Sequence, residues 1–566
     1  MKYILFIVFF FSNYPLLFSQ AQDSKQYPLN YFRDPLDIPI SLVANFGELR
    51  TNHFHMGLDI RTEKRENLPV YAAADGYIAR IKIEPEGFGQ AIYINHPNGY
   101  TTVYAHLNRF FPALANYIKA QQYKLETWKI LLNVPPGMFP VRKGDLIAFS
   151  GNTGGSEGPH LHFEIRRTSD DTNLNPMLFG LPIVDDTKPV IERLAVYNFN
   201  YSIYEQTPRL WMLRKIDEGN YSTPTDTLTI SSSRIGFAIS AFDSQAASGN
   251  PNGIYEAVLY DNERPVISFQ MDNISYNDTR NVNAHIDYKT KAQKGPWLQQ
   301  LFELPGYKHS IYQIIGGNGV IDVSDGSVHS IRIEVKDAYK NKSTLKFKIR
   351  YVGSAMNNHS TEGKMFYPMM VDGYENEDCA FFIGEKCLYD SVHIQYSKPA
   401  PAWRGAVSMA YSIGASYIPL QEPFLVRIKT NRPAEKDKTL MERFDGKKKE
   451  VQKPQWKGDW ASANFYEFGN FQLSLDTEPP LIITAFKDGA NLSKSSRISL
   501  TIKDNFGVYK NFRAELDGKW LLFTNDKERA FIYKFDEHCP KGKHELKISV
   551  ENEVGSRSVK IFKFIR

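Results

Sequence analysis

The chain has 566 residues, of which 42% are hydrophobic and 23% are charged. This composition excludes wholesale disorder and fibrous repeats, and at roughly 100–200 residues per domain it predicts about three to five domains. The 68 basic and 63 acidic residues give a net charge of +5 without a long basic run, which argues against a nucleic-acid partner. The 31 Pro, 37 Gly and 13% aromatic residues favour short strands and turns over long helices.

The first 21 residues have the pattern of a signal peptide. Lys2 precedes the apolar run 3–11, and the small residues Ser19 and Ala21 stand at the end of the segment. A charged start, a short apolar core and small residues at a cleavage site predict export. No lipid-anchor Cys follows, and no other segment approaches the ~18 apolar residues of a membrane span. We therefore expect a mature chain in the periplasm or cell envelope, or secreted, without a transmembrane anchor.

Residues 30–185 form the first predicted domain. Strand-like runs alternate there with Gly and Pro turns, which predicts an antiparallel sheet. Residues 113–132 differ because they are rich in helix formers, and they predict a helical insertion within about 111–140. The fold class we expect is mainly β, with this one helical insertion.

Two further segments are similar to each other. Residues 329–337 match residues 544–552 at a constant offset of 215, and residues 186–189 resemble residues 476–479. These matches predict two β-sandwiches that resemble bacterial immunoglobulin-like domains, at 187–352 and 477–566. The segment between them, 353–476, carries alternating apolar runs and predicts a third β-rich domain.

The three cysteines, Cys379, Cys387 and Cys539, do not form a disulfide framework, because their number is odd and the chain is long. We expect buried free thiols. A disulfide between Cys379 and Cys387 across a hairpin is the alternative.

Histidines are concentrated in the first domain, where six of the 13 fall between positions 53 and 162. In a strand, His160 and His162 share one face because side chains alternate. His55 and Asp59 are four apart and share a face in extended chain. Two imidazoles and a carboxylate suit Zn²⁺, which binds His N and carboxylate O at roughly 2.0–2.2 Å and keeps a position open when it is catalytic.

The segment 40–178 resembles the lysostaphin-type, LytM-like zinc metallo-endopeptidases, which cleave peptide bonds in peptidoglycan. The stretches that carry the resemblance are His55-x-Gly57-x-Asp59-Ile60, Pro69-Val70-x-Ala72-x-x-Asp75-Gly76, Gly87-x-Gly89, His96-x-x-Gly99-Tyr100-x-Thr102-x-Tyr104-x-His106-Leu107, Lys143-Gly144-Asp145, Ser150-Gly151-Asn152-Thr153-Gly154 and Gly158-Pro159-His160-Leu161-His162-Phe163-Glu164.

The resemblance implies that His55, Asp59 and His162 bind one Zn²⁺ per chain. It also implies that His106 and His160 are catalytic histidines that do not bind the metal. One imidazole takes the proton of a zinc-activated water, and the other stabilises the oxyanion or protonates the leaving amine. Which of the two performs which task stays open. The implied substrate is a stem peptide or cross-link of peptidoglycan.

Three residues near the predicted site are not expected to bind zinc or to take part in catalysis directly. We expect His53 to lie at the surface or beside the site, and His96 to be structural. Glu164 shares a strand face with His160 and His162, so it is a candidate for a hydrogen bond to a ligand.

The insertion departs from the family pattern because it lengthens the interval between His106 and His160. We expect it to form a flap or wall over the substrate groove. The alternative is a packing element between the first domain and a sandwich.

Two other functions compete with the peptidase. Gly154–Gly158 fits the G-x-S-x-G pattern of serine hydrolases, but a strand is predicted after it where that pattern needs a helix. The second alternative is a cell-envelope binding or scaffold protein, whose β domains carry the main role and bind envelope proteins, with peptidase activity secondary or directed at a protein.

Overall fold

The computed structural model describes residues 27–245, 249–353, 362–401 and 405–566, and it is mainly β, as predicted. The predicted signal peptide at 1–21 lies outside the described residues. Within those residues, no helix has both the length and the apolar character that a membrane crossing requires.

An antiparallel sheet runs through the N-terminal domain (residues 27–185), as predicted. Its strands stand in the order Leu42–Ala44, Leu58–Arg61, His160–Arg167, Tyr100–Ala105, Gln90–Asn95, Gly76–Ile83 and Ile130–Asn133. Smaller pairings add Pro140–Val141, Asn173–Leu174, the sheet of Pro69–Tyr71, Leu146–Phe149 and Arg109–Phe110, and the hairpin Leu49–Arg50 with His53–Phe54. The domain ends in the short 3₁₀ helix Pro176–Phe179.

The alternation of strand His160–Arg167 decides which side chains reach the site. Leu161, Phe163 and Ile165 are fully buried in the hydrophobic core. His160 and His162 therefore project from the opposite face of the sheet, as the period of two predicts.

The helical insertion is shorter than predicted. The helix spans Pro112–Leu125 and ends on Glu126, which adopts the left-handed conformation with φ 50°. Its buried residues Leu114, Ile118 and Gln122 recur every four positions. The prediction of a helix through residue 132 is wrong, because Ile130–Asn133 is a strand that pairs with Gly76–Ile83.

The second unit (residues 187–353) consists of two sheets that share one core. The first sheet contains Arg209–Met212, Val190–Asn198, Arg234–Phe242, Gln299–Gln300 and Ile321–Asp322. The second contains Arg214–Asp217, Asn220–Ile230, Lys342–Tyr351, Val328–Lys336, Glu256–Asp261, Arg264–Gln270 and Tyr312–Ile314. Short helical segments are Ile203–Glu205, Thr279–Asn281, Val282–His285 and Tyr288–Ala292.

The third unit (residues 362–476) has two five-stranded sheets. One contains Asp372–Glu375, Cys379–Ile383, Pro419–Lys429, Trp460–Glu467 and Gln455–Lys457, and the other contains Tyr396–Ser397, Tyr411–Ile413, Gly469–Leu475, Thr439–Asp445 and Lys448–Gln452. The pair Lys364–Phe366 and Val392–Ile394 and the 3₁₀ helix Pro433–Lys438 complete the unit.

The last sandwich (residues 477–566) combines a three-stranded and a five-stranded sheet around a separate core. Its strands are Leu481–Thr484, Arg497–Lys503 and Phe531–Lys534 in one sheet, and Ala490–Asn491, Arg557–Ile565, Lys543–Asn552, Tyr509–Leu516 and Lys519–Trp520 in the other. A 3₁₀ turn, Asp526–Glu528, precedes Phe531–Lys534.

All three cysteines are buried and free, as expected, and the alternative disulfide between Cys379 and Cys387 is not formed. Burial raises the pKa of the Cys379 thiol to about 12, so the thiolate needed for disulfide exchange is disfavoured.

The second unit and the last sandwich share contacts that support their sequence similarity. The Ser343 hydroxyl donates to Pro189 O, and the Ser558 hydroxyl donates to Pro480 O. These contacts align Pro189 with Pro480, so Asp185 corresponds to Asp476. The sequence match of residues 186–189 with residues 476–479 is therefore one residue out of register with the structural alignment. The immunoglobulin-like description stays a prediction.

Candidate metal centre and active-site cleft

Two adjacent strands bring the predicted metal ligands together. His162 and Asp59 are directly paired in the antiparallel register, and His55 lies just before the strand of Asp59. The distance from Asp59 Oδ1 is 3.0 Å to His55 Nε2 and 2.8 Å to His162 Nδ1, and the two nitrogens are 3.1 Å apart. A point about 2.0–2.2 Å from all three atoms exists beside such a triangle, which is the distance that zinc needs.

Hydrogen bonds on the outer side of each ring fix which nitrogen faces the centre. His55 Nδ1–H donates to Asn45 O at 2.7 Å, and His162 Nε2–H donates to Glu164 Oε1 at 3.0 Å. When both rings are neutral, the inner nitrogens therefore present lone pairs to each other and to an Asp59 oxygen. Three buried acceptors that face one another need a cation between them, either a proton or a metal ion, so these residues suit a zinc ion.

The local electrostatics agree with this arrangement. Burial alone would raise the pKa of Asp59, but the neighbouring His55, His160 and His162 hold it well below its usual value of 3.8. Burial lowers the pKa of His55. His162 differs because burial is outweighed by its hydrogen bonds to Asp59 and Glu164, which raise its pKa to about 9.

A glycine allows the close approach of the chain to this centre. A Cβ atom on Gly57 would lie 2.5 Å from Phe163 O and 3.0 Å from His162 Nε2. Real Cβ atoms essentially never come as near to backbone as 2.5 Å, so any side chain at position 57 would displace the strand of His162.

His106 and His160 stand beside the ligand triangle. Their ring centroids are 4.7 Å apart, and His160 Nε2 is 3.4 Å from Asp59 Oδ1. His106 directly follows the strand Tyr100–Ala105 and has φ 57°, a left-handed conformation that is uncommon for residues other than Gly.

The rim loop, which we define as residues 150–158, orients both rings. His106 Nδ1–H donates to Thr153 O at 2.8 Å, and His160 Nδ1–H donates to Gly158 O at 2.8 Å. Each Nε2 is left with a lone pair. Burial and the neighbouring His160 and His162 lower the pKa of His106 to about 3, so its imidazole is neutral at pH 7.

These side chains lie in a cleft of about 760 Å³. Its walls carry both charges and aromatic rings, from Arg50, His53, Phe54, Lys64, Lys82, Glu84, Phe88, Glu157, Tyr276 and Thr279. Tyr276 and Thr279 belong to the second unit, and the Tyr276 hydroxyl donates to Glu164 Oε1 at 3.0 Å. The cleft is therefore shared between the N-terminal domain and the second unit.

The helical insertion does not cover this cleft, so the flap interpretation is wrong. No residue of 111–140 lines it. The helix instead contacts the last sandwich: Lys119 Nζ binds Asp536 and Glu537 at 2.7 and 2.8 Å, and the Tyr123 ring stacks on His538 at 3.8 Å. The helix therefore lies where the alternative interpretation places it, as a packing element between the first domain and a sandwich.

The structure brings together all five residues singled out from the sequence, which are His55, Asp59, His106, His160 and His162. Glu164 makes the expected hydrogen bond to a histidine. His53 is exposed at the cleft wall. His96 is buried between Asp75 O and the Thr102 hydroxyl, away from the cleft.

Other contacts were not found from the sequence. Arg50 binds Asp59 Oδ2 at 3.2 Å, and Asp526 and Lys527 of the last sandwich contact the rim loop. Arg50 is only nine residues from Asp59, but no pattern marks it. Asp526 and Lys527 lie more than 370 positions from the loop, where no local periodicity applies.

Comparison with known families agrees with this geometry. Residues 53–123 and 132–176 match the model of peptidase family M23. The chain carries an M23 peptidase domain. The match is interrupted at 124–131, where the helical insertion ends, and residues 364–476 separately match the Zu5-like domain.

The M23 domain also resembles individual proteins. It is 35% identical over 140 residues to the DD-carboxypeptidase/endopeptidase Mpg of Neisseria meningitidis, covering 25% of this chain and 26% of that protein. It is 28% identical over 157 residues to the peptidoglycan DD-endopeptidase ShyA of Vibrio cholerae, covering 25% of this chain and 30% of that protein. The chain thus spans about a quarter of the length of the curated relatives it matches.

Among solved structures, the M23 domain is similar to the catalytic domain of the antimicrobial peptidase lysostaphin from Staphylococcus simulans. The identity is 25%, the TM-score is 0.19, and the match covers 25% of this chain and 91% of that domain.

Proposed function

We propose that the chain is a zinc metallo-endopeptidase that hydrolyses peptide bonds in the stem peptides or cross-links of peptidoglycan. The observation that carries the proposal is the triangle of lone pairs at His55, Asp59 and His162, with two further histidines beside it. The peptidoglycan substrate is proposed from the names of the relatives. Action in the cell envelope follows from that substrate and from the signal-peptide pattern at 1–21.

The chain's own residues have distinct tasks in this reaction. His55, Asp59 and His162 hold the zinc ion, and Asn45 O and Glu164 keep the two imidazoles in the required orientation. Bound there, zinc supplies a Lewis acid that polarises a carbonyl and lowers the pKa of a water molecule.

His106 and His160 handle protons and charge. The two rings lie next to each other beside the triangle, each with Nδ1 anchored on the rim loop. One neutral imidazole accepts the proton of the attacking water and passes it to the leaving amine. The other, when it is protonated at Nε2, donates a hydrogen bond to the oxygen on which negative charge develops.

The cleft offers binding groups on both sides of this centre. Lys64 can bind a carboxylate and Glu157 an ammonium group of a peptide. Lys82 and Glu84 pair with each other at 2.7 Å, and Arg50 pairs with Asp59 at 3.2 Å. Phe88 and Tyr276 provide apolar contact area. Because Tyr276 lies in this wall, the second unit takes part in the site, which argues against the alternative of a scaffold with incidental peptidase activity.

Purified full-length protein tests the proposal. We expect about one zinc per chain by elemental analysis and release of peptides from purified peptidoglycan, with mass spectrometry identifying the bond that is cut. Chelation should stop the reaction, and added zinc should restore it. A zinc-loaded protein that leaves peptidoglycan of several cross-link types intact would contradict the substrate, whereas a protein without zinc would contradict the centre.

A further inference from the structure

Three carboxylates meet where the N-terminal domain joins the second unit. Asp185 lies in the connecting segment, Asp243 follows the strand Arg234–Phe242, and Asp337 follows Val328–Lys336. One oxygen of each lies within 4.8 Å of the others. Asp243 and Asp337 are only 2% and 1% exposed. Negative charge concentrated in this way in a buried position requires a compensating cation or proton.

The surrounding hydrogen bonds satisfy only part of this cluster. Asp337 accepts from the backbone and side-chain amides of Asn341 at 2.8 and 2.7 Å, and Asp185 accepts from Thr187 N at 3.1 Å. Asp243 Oδ1 is buried and has no hydrogen-bond partner. The charged groups that act most strongly on Asp185 and Asp243 are other carboxylates of the junction rather than Lys or Arg side chains.

Asn252 adds a fourth oxygen to the same side. Asp243 and Asn252 pair through their backbones, each N donating to the other's O at 2.9 and 2.8 Å. The side chains of two residues paired in this way project to the same side of the sheet. Asn252 Oδ1 is also buried and unpartnered, and the residue is 4% exposed. Asp243 Oδ1, within the carboxylate cluster, and Asn252 Oδ1, on the same side of the sheet, are thus two buried oxygens without a hydrogen-bond partner.

The raised pKa values of two of these carboxyl groups show that full ionisation of the cluster is unfavourable. Burial and repulsion between the carboxylates raise the pKa of Asp243 to about 8 and that of Asp185 to about 6. Without a cation, the cluster would keep a proton near neutral pH.

The last sandwich has a corresponding cluster, in which an amide side chain replaces one of the three carboxylates. Asp476 and Asp504 correspond to Asp185 and Asp243, but Asn552 stands where the second unit has Asp337. Asn552 Nδ2 donates to Asp476 Oδ2 at 2.8 Å. A neutral donor thus takes the place of one carboxylate, and the cluster of the second unit has one more carboxyl group.

We propose that Asp185, Asp243, Asp337 and Asn252 bind a calcium ion. All the donors are oxygens, and Ca²⁺ takes six to eight oxygens at about 2.3–2.6 Å in a flexible geometry that backbone carbonyls and water can complete. Transition metals prefer sites with nitrogen or sulfur ligands, and this cluster has none.

The ion would fix the joint between the M23 domain and the second unit. Gln245, two residues after Asp243, accepts a hydrogen bond from Leu42 N of the M23 domain at 2.9 Å and donates to Ile40 O at 3.3 Å. Because the second unit supplies Tyr276 and Thr279 to the cleft, calcium bound at the joint would hold that wall in place. The site differs from the zinc centre in position and in ligand chemistry.

Terbium and calcium binding to the full chain test the site. The protein is freed of metals on a chelating resin and given back one equivalent of zinc. Tb³⁺ should show luminescence sensitised by the nearby Tyr339, saturating at about one ion per chain, and Ca²⁺ should displace it. Ca²⁺ should also raise the temperature of thermal unfolding.

Asp337→Asn gives the second unit the same set of residues as the last sandwich. This variant should lose the calcium-dependent rise in unfolding temperature and most of the terbium signal, while keeping its zinc. Asp226→Asn, at an exposed position of the same unit, is the matched control and should respond like the unchanged protein.

If calcium does not raise the unfolding temperature of the unchanged protein, or raises it equally in Asp337→Asn, the calcium site is wrong. A proton shared between the carboxyl groups would then balance their charge. If Asp337→Asn shows no cooperative unfolding, Asp243→Asn replaces it with the same expected results. Zinc content and peptidoglycan hydrolysis are measured in the same samples, so a failure of the calcium site is distinguishable from a failure of the peptidase proposal.

Discussion

Asp526 of the last sandwich accepts a hydrogen bond from Gly154 N at 2.8 Å, across 372 residues of sequence. Next to it, Lys527 Nζ donates to Asn152 Oδ1 at 3.2 Å and to Ser156 O. Two adjacent side chains of the C-terminal end therefore hold the rim loop of the M23 domain.

The rim loop carries the carbonyl groups that orient His106 and His160, so its position bears on catalysis. We expect Asp526→Ala and Lys527→Met to lower the rate of peptidoglycan hydrolysis about tenfold, since a small displacement of catalytic groups is costly. Zinc content should not change. Lys494→Met, at an exposed turn, is the control. Rates equal to those of the control would show that the loop keeps its position unaided.

Removal of a metal ligand should remove the metal. In His55→Ala, Asp59→Ala and His162→Ala, we expect zinc well below one per chain, because each variant loses one of only three protein ligands. Elemental analysis after dialysis measures it. His53→Ala is the matched control, since His53 lies at the exposed cleft wall and should keep full zinc. Full occupancy in Asp59→Ala would contradict the ligand set.

Removal of the other two histidines should separate catalysis from metal binding. His106→Ala and His160→Ala should retain zinc and lose about 100- to 10,000-fold in turnover, the range usual for acid–base groups. Zinc content and hydrolysis are measured on the same preparations. If His106→Ala loses the metal, its assignment as a proton-transfer group is wrong.

Glu164 should control metal affinity without binding the metal. Its carboxylate accepts from His162 Nε2 at 3.0 Å and from Arg166 Nε at 2.7 Å. Glu164→Gln should weaken zinc binding about 10- to 100-fold, because the amide orients and polarises the imidazole less well. Competition with a fluorescent chelator gives the affinity. An unchanged zinc affinity would mean that Glu164 does not act on the metal site and only positions Arg166 and Tyr276.

Zinc affinity should fall as the pH is lowered. In the metal-free protein, the pKa of His162 is raised to about 9, so its inner nitrogen is protonated at pH 7 and zinc has to displace that proton. Between about pH 8 and 6, we expect the apparent affinity to fall about tenfold for each unit. The same competition assay measures the slope, and a flat profile would mean that His162 is neutral before zinc binds.

The sequence was sufficient to single out the five residues that meet at the centre, but not the residues that surround them. His160 and His162 could be placed on one face because strand side chains alternate with a period of two. Tyr276 and Asp526 could not be placed at the site, because tertiary packing over more than 100 residues leaves no local pattern. The end of the helix was missed for a different reason: Glu126 adopts the left-handed conformation that Gly usually marks.

The distance in sequence between the rim loop and Asp526 is also a delay in synthesis. A ribosome that has completed the N-terminal domain (residues 27–185) adds about 340 further residues before it reaches Asp526 and Lys527. All five histidine and aspartate side chains of the centre are thus present in every nascent chain long before the contacts that hold the rim loop. Chains that end early, or that are cut between the third unit and the last sandwich, would keep these five side chains and lack those contacts.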